Sequence, residues 1–166
     1  MSRALIATLA TTLAIVPAAS VAAAAESHSG DHHAESIEIA PSSAKPDRTI
    51  TINMVERPDG SMGFTPDHVT VTAGRTIRFE VHNTGTLDHE FVVGDHEALM
   101  EHKAEMEKMP DMKHTDPGEL RLAPGQSGSV TLRFDKPGPF GFACLIPGHY
   151  EVGMHGVLTV TAASQS

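Results

Sequence analysis

From residue 49 onward the apolar residues of this chain alternate with polar ones in short runs, and that period of two narrows the folds open to it more than any other feature. Ile50, Ile52 and Met54 share a parity, as do Val69 and Val71, and Ile77, Phe79 and Val81. Val130, Leu132 and Phe134 repeat the pattern, followed by Phe140, Phe142 and Cys144, and by residues 156–160. Side chains on an extended strand alternate between its two faces, so each run offers one apolar face to a core. Pro58-Asp59-Gly60, Ala73-Gly74, Asn83-Thr84-Gly85, Pro124-Gly125 and Lys136-Pro137-Gly138 supply turn chemistry between the runs. Short strands at this spacing predict an all-β fold, a Greek-key antiparallel β-sandwich.

One stretch breaks the rule. Residues 95–109 have no period of two and are rich in Glu, Ala, Met and Lys. Asp95 suits an N-cap and Pro110 forces an end. Leu99, His102, Met106 and Met109 fall at i, i+3, i+7 and i+10, along one helical face. A helical insertion between strands is therefore expected, within a Met/His-rich insert at about residues 95–119 of a single domain spanning 48–166.

The first 25 residues read as a secretory signal peptide. Arg3 is followed by an apolar run over residues 4–16, then Pro17, small residues, and Ala23-Ala24-Ala25 before Glu26. The run is short of the ~20 residues that span a bilayer, so a cleaved signal is favoured over an anchor, with no membrane insertion after cleavage. A periplasmic location follows. Residues 26–47 are polar, with His28, His32 and His33 near their start, and read as a flexible leader.

Composition removes several functions. The chain has 12 Lys+Arg against 21 Asp+Glu, a net charge of −9, whereas nucleic acid and anionic membranes need clustered cations. A single cysteine rules out an internal disulfide framework, a four-thiolate zinc site and a CxxC redox pair. The unusual counts are 11 His and 8 Met.

The chemistry concentrates in Cys144-Leu-Ile-Pro-Gly-His149-Tyr-Glu-Val-Gly-Met154. A spacing of five cannot put Cys144 and His149 on the same face of one strand, but the Pro147-Gly148 turn can fold His149 back towards the sulfur. Met154, after flexible Gly153, can approach from another side. A second imidazole is available at His89, at the start of a strand. His82 is a rival, but it shares parity with Arg78 and Glu80 on the face expected to meet solvent. Two imidazoles, one thiolate and a weak thioether form the trigonal site with a long axial Met that serves copper electron transfer.

This pattern resembles the cupredoxins, the blue-copper family of plastocyanin, azurin and rusticyanin, over roughly residues 64–160. The resemblance runs through Pro66-Asp67-His68-Val69-Thr70-Val71, Ala73-Gly74, His89-Glu90-Phe91, Ala123-Pro124-Gly125-Gln126-Ser127 and the Cys-x4-His-x4-Met loop. It implies one type 1 copper held by His89, Cys144, His149 and Met154. The chain departs from many members at Glu90, which stands where they carry Asn, and it lacks the azurin disulfide. A nucleophilic Cys144 is disfavoured, because no helix N-terminus or oxyanion donors follow it. A multicopper oxidase is disfavoured too, because no His-x-His pair is present.

Met100, Met106, Met109 and Met112 lie close together in sequence, with His96, His102 and His114 among them. Thioethers favour copper(I), so His102, Met106, Met109 and Met112 are candidates for a second, weaker copper site. The alternative is packing, with Met as an adaptable filler. The leader histidines could likewise capture copper loosely. Two functions follow. The first is a monomeric one-electron carrier docking on a redox partner such as a cytochrome. The second is a copper-tolerance protein exchanging metal with a copper donor or acceptor. Neither makes the chain an enzyme.

Overall fold

The computed structural model describes residues 37–39, 45–109 and 118–163. The expected signal peptide, most of the leader including His28, His32 and His33, and part of the insert including Met112 and His114 lie outside the described residues.

Among the described residues, ten strands and one helix follow in order: β1 (Ile37–Ile39), β2 (Arg48–Glu56), β3 (Met62–Thr65), β4 (His68–Thr72), β5 (Arg75–Asn83), β6 (His89–Gly94), α1 (His96–Lys108), β7 (Leu120–Leu122), β8 (Ser127–Phe134), β9 (Gly138–Ala143) and β10 (His155–Thr161). They form two five-stranded sheets, ordered β1-β8-β5-β2-β3 and β4-β10-β9-β6-β7. The chain crosses between sheets after β3, β4, β5, β7 and β8, which gives the Greek-key sandwich. Two pairings, β2 with β5 and β4 with β10, run parallel and the others antiparallel. The parallel pairs arise because each partner is reached by a crossover through the other sheet, not by a hairpin.

Strand β1 corrects one expectation. Ile37–Ile39 falls inside the stretch read as a flexible leader, yet it pairs antiparallel with β8 at the edge of the first sheet. Its Ile-Glu-Ile alternation has the strand period, but three residues between polar flanks are too short to stand out.

Every residue placed on an inward face by parity is buried, from Ile50 and Ile52 through Phe134 to Phe142 and Cys144. Phe64, Phe91 and Phe142 meet at the centre with ring centroids 5.2–5.9 Å apart, two of the three contacts edge to face. Strand β6 is buried along its whole length, because α1 covers the face that the core does not.

Helix α1 starts where Asp95 accepts the N–H of Ala98 at 2.9 Å. Leu99 and Met106 pack with Val92, Ala143 and Leu145 in a second apolar cluster on the outside of the second sheet. This cluster includes Leu145, the residue after Cys144, so the helix rests directly on the start of the Cys-to-Met loop. Lys103 pairs with Glu151 of the same loop at 2.7 Å and with Glu107. Among the described residues, no helix is long and apolar enough to cross a membrane.

Candidate metal centre

The loop from Cys144 to Met154 joins β9 to β10 and is closed by main-chain hydrogen bonds. The N–H of Cys144 donates to the carbonyl of Met154, and that of Met154 to the carbonyl of His149, both at 3.0 Å. The turn after Cys144 is made by Gly148, with φ of 90°, and the N–H of His149 donates to Ile146 at 3.0 Å. A second turn uses Gly153, with φ of 99°. Both glycines hold a left-handed conformation that other residues adopt only with strain. The loop is also tied to β3, where the N–H of Met62 donates to Val152 at 3.1 Å.

These constraints bring His149 against the strand that starts at His89. The two Nδ1 atoms lie 3.2 Å apart, and His149 Nδ1 lies 3.4 Å from Cys144 Sγ. Donor atoms of His89, Cys144 and His149 all fall within 4.8 Å of one another, the only such cluster of His, Cys, Asp or Glu among the described residues. His89 and Cys144 are fully buried, and His149 keeps one edge open. Met154 is buried in the same apolar cluster as Cys144.

Three neighbouring groups complete the site. The backbone N–H of Glu90 donates to Cys144 Sγ at 3.3 Å, so a sulfur hydrogen bond is supplied by the main chain whatever side chain follows His89. The Glu90 carboxylate meets Arg121 at 3.3 Å, and Arg121 also approaches Asp88 at 3.7 Å. Buried Asn83 donates to the carbonyls of Leu87 and Leu122 at 2.7 and 2.8 Å, which ties the loop before His89 to β7.

On the other side of His89, Nε2 lies 3.1 Å from Oε1 of Glu56, at the end of β2. The hydrogen bond from the Thr86 hydroxyl, followed by the N–H groups of Leu87 and Thr86, brings the Glu56 carboxyl down to about 2 against the opposing pull of burial. Glu56 was not anticipated from the sequence. It follows an alternating strand and precedes a turn, like any solvated terminal carboxylate, and only the fold brings it to His89.

Burial pushes the Cys144 thiol up to about 12, against the Glu90 N–H. Burial, and then the neighbouring His89, hold the His149 imidazole below its usual value. A cation entering this pocket must therefore displace the thiol proton, as is usual for thiolate sites. The donors are nitrogen and sulfur, with no converging carboxylate or carbonyl cage. That set suits copper and excludes calcium or magnesium.

The described residues proposed for a second site differ in exposure. Met106 is buried against Leu99 and Leu145, whereas Met109 is 45% exposed. The helix ends there, with Met109 at φ −136° and ψ 67°, so it leaves the face that Met106 occupies. His102 Nδ1 lies 3.2 Å from Glu119 Oε1. Met112 is outside the described residues. The rival His82 bonds Ser127 Oγ at 2.6 Å, and His89 is the histidine that meets Cys144 and His149.

Residues 52–161 match the family described as copper binding proteins of the plastocyanin/azurin family. The chain is 47% identical over 117 residues to the copper-resistant cuproprotein CopI of Rubrivivax gelatinosus, covering 70% of this chain and 68% of that one. It is 37% identical to the protein of the same name from Pseudomonas aeruginosa, covering 61% of this chain and 72% of that one. Among solved structures it resembles dithionite-reduced auracyanin from Roseiflexus castenholzii, with 28% identity and a TM-score of 0.55, covering 68% of this chain and 96% of that one.

Proposed function

The chain belongs to the plastocyanin/azurin family of copper-binding proteins, and from that premise we propose that it is a periplasmic type 1 copper protein carrying single electrons, its copper held by His89, Cys144, His149 and Met154. The observation that carries this reading is the convergence of His89, Cys144 and His149 donor atoms within 4.8 Å in a buried pocket. Bound there, copper supplies a Cu(II)/Cu(I) couple that exchanges one electron at a time.

The residues suit both oxidation states. Imidazole nitrogens of His89 and His149 serve Cu(II), while the sulfurs of Cys144 and Met154 serve Cu(I). The Cys144–Met154 and Met154–His149 main-chain bonds hold the loop rigid, so little needs to rearrange when the charge changes. The open edge of His149 gives a partner its nearest approach. A net charge of −9 steers the protein towards a basic redox partner such as a cytochrome, with association that weakens as salt rises. The reading is of a monomeric carrier and not an enzyme.

A second reading has its own support. Two of the relatives similar to this chain are copper-resistant cuproproteins, which favours copper tolerance, with metal or electrons passed to a copper donor or acceptor. The expected signal peptide would deliver the protein to the compartment where either role operates.

Titration of the metal-free protein with Cu(II), followed by visible absorption, tests both. One intense thiolate-to-copper band saturating at one equivalent is expected. Uptake beyond one equivalent without further colour would move weight to copper tolerance. No intense band would remove Cys144 from the ligand set and overturn the proposal. His89→Ala should abolish the band and His82→Ala should not; the reverse would transfer the ligand assignment to His82.

A further inference from the structure

Glu56 is held more tightly than a strand-end carboxylate needs to be. Its Oε1 accepts the backbone N–H of Thr86 at 2.7 Å and of Leu87 at 2.8 Å, and its Oε2 accepts the Thr86 hydroxyl at 2.7 Å. The same Oε1 lies 3.1 Å from His89 Nε2. The loop closes on this pair only because residue 85 is glycine. A Cβ there would collide with Oε1, approach Cδ of Glu56 to 2.9 Å and reach His89 Nε2 at 3.2 Å. Residues 85–87 thus form a cradle that fixes the carboxylate against one nitrogen of one imidazole.

The consequence for His89 is chemical. Both carboxylate oxygens already accept hydrogen bonds, so the carboxylate has no proton to give and Nε2 must be the protonated nitrogen. In the neutral imidazole Nδ1 is then left with its lone pair. Nδ1 is the atom that faces into the site, 3.2 Å from His149 Nδ1.

We propose that Glu56 is the positioning residue of the copper centre: it locks His89 with Nε2 protonated and Nδ1 bare towards Cys144 and His149, and its charge, one imidazole away from the metal, favours Cu(II) over Cu(I). This rests on the copper reading above and adds to it an acidic partner from a distant strand. A carboxylate behind a ligating histidine fixes ring orientation and raises ligand basicity in other metal proteins, which is the physical basis of the assignment.

The alternative is that Glu56 only fastens residues 85–87 to β2. Two readouts separate the roles. The first is the tautomer of His89 in the metal-free protein, read from long-range ¹H–¹⁵N correlations. The wild type and Glu56→Gln should both show protonated Nε2, because the amide oxygen can replace Oε1 while its NH2 donates to Thr86 Oγ1. Glu56→Ala should lose the single tautomer. A protonated Nδ1 in the wild type, or an unchanged single tautomer in Glu56→Ala, overturns the positioning role. If Glu56→Ala does not fold, the wild type and Glu56→Gln still decide.

The second readout is the reduction potential of the copper-loaded protein. Glu56→Gln should keep the intense band and lower the Cu(II)/Cu(I) preference about tenfold, which is a rise of 59 mV for one electron. A potential unmoved in Glu56→Gln overturns the charge effect. The copper reading fails separately, on the wild type alone, if no intense band forms; the tautomer measurement does not depend on that result.

Discussion

The backbone N–H of Cys144 donates to the carbonyl of Met154 at 3.0 Å, so the two ends of the sulfur-bearing loop are joined by the main chain itself. Cys144 immediately follows β9 and Met154 immediately precedes β10, and the pairing of Ala143 with His155 continues the ladder beyond them. The loop is therefore a hairpin of fixed span, and its rigidity comes from the sheet. The positions that allow its turns are the places where a small substitution has a large effect.

Gly153→Ala tests this. Residue 153 sits at φ 99°, and an added Cβ would come within 3.3 Å of the Met62 carbonyl. A side chain in that conformation costs on the order of 1–3 kcal/mol. The urea midpoint should fall accordingly, and the copper band should shift or broaden because Met154 follows directly.

Met154→Leu should leave the fold nearly unchanged, since the swap conserves volume and costs less than about 1.5 kcal/mol in a packed core. The intense band should persist, because Cys144, His89 and His149 remain. If Met154 lends its thioether to the copper as proposed, its loss should move the reduction potential, measured by redox titration.

Met106 should behave as a packing residue. It is fully buried against Leu99 and Leu145. Met106→Ala should lower stability by about 2–5 kcal/mol, measured by urea unfolding of the metal-free protein. Met106→Leu should restore most of it and leave copper(I) stoichiometry unchanged. Loss of one equivalent in Met106→Leu would instead place Met106 in a second copper site.

Asp47 supplies a pH-dependent contribution remote from the metal. The Thr76 N–H holds its carboxyl below the usual carboxylate value, against a smaller effect of burial, with Arg75 and Arg133 adding to the lowering. A depressed carboxylate stabilises the fold fully above its unfolded-state value and loses that contribution as pH falls through its folded-state value. Asp47→Asn should therefore be less stable than the wild type at neutral pH. The two urea midpoints should converge below about pH 4, where the unfolded carboxyl begins to be protonated.

Much of the fold was legible because the inward faces follow a strict parity. Ile50, Phe79, Leu132 and Phe142 could be placed on the core side from alternation alone, and Asp95 and Pro110 bracketed the helix. Short strands were harder. β3 and β7 have four and three residues, too few for a period to emerge, and they exist because neighbouring strands offer free edges. The face of α1 was read as Leu99, His102, Met106 and Met109, but Met109 lies where the helix unwinds.

The sequence by itself determined the sandwich class, the Cys-x4-His-x4-Met loop and the donor chemistry of the site, since these depend on side-chain parity and local turns. Only the tertiary structure decided which residues stand behind those donors. Glu56 reaches His89 across 33 positions, and the Glu90 N–H reaches Cys144 across 54. Such pairs depend on how strands distant in sequence are set side by side, within one sheet for Glu90 and Cys144 and across the two sheets for Glu56 and His89, and no local spacing encodes that register.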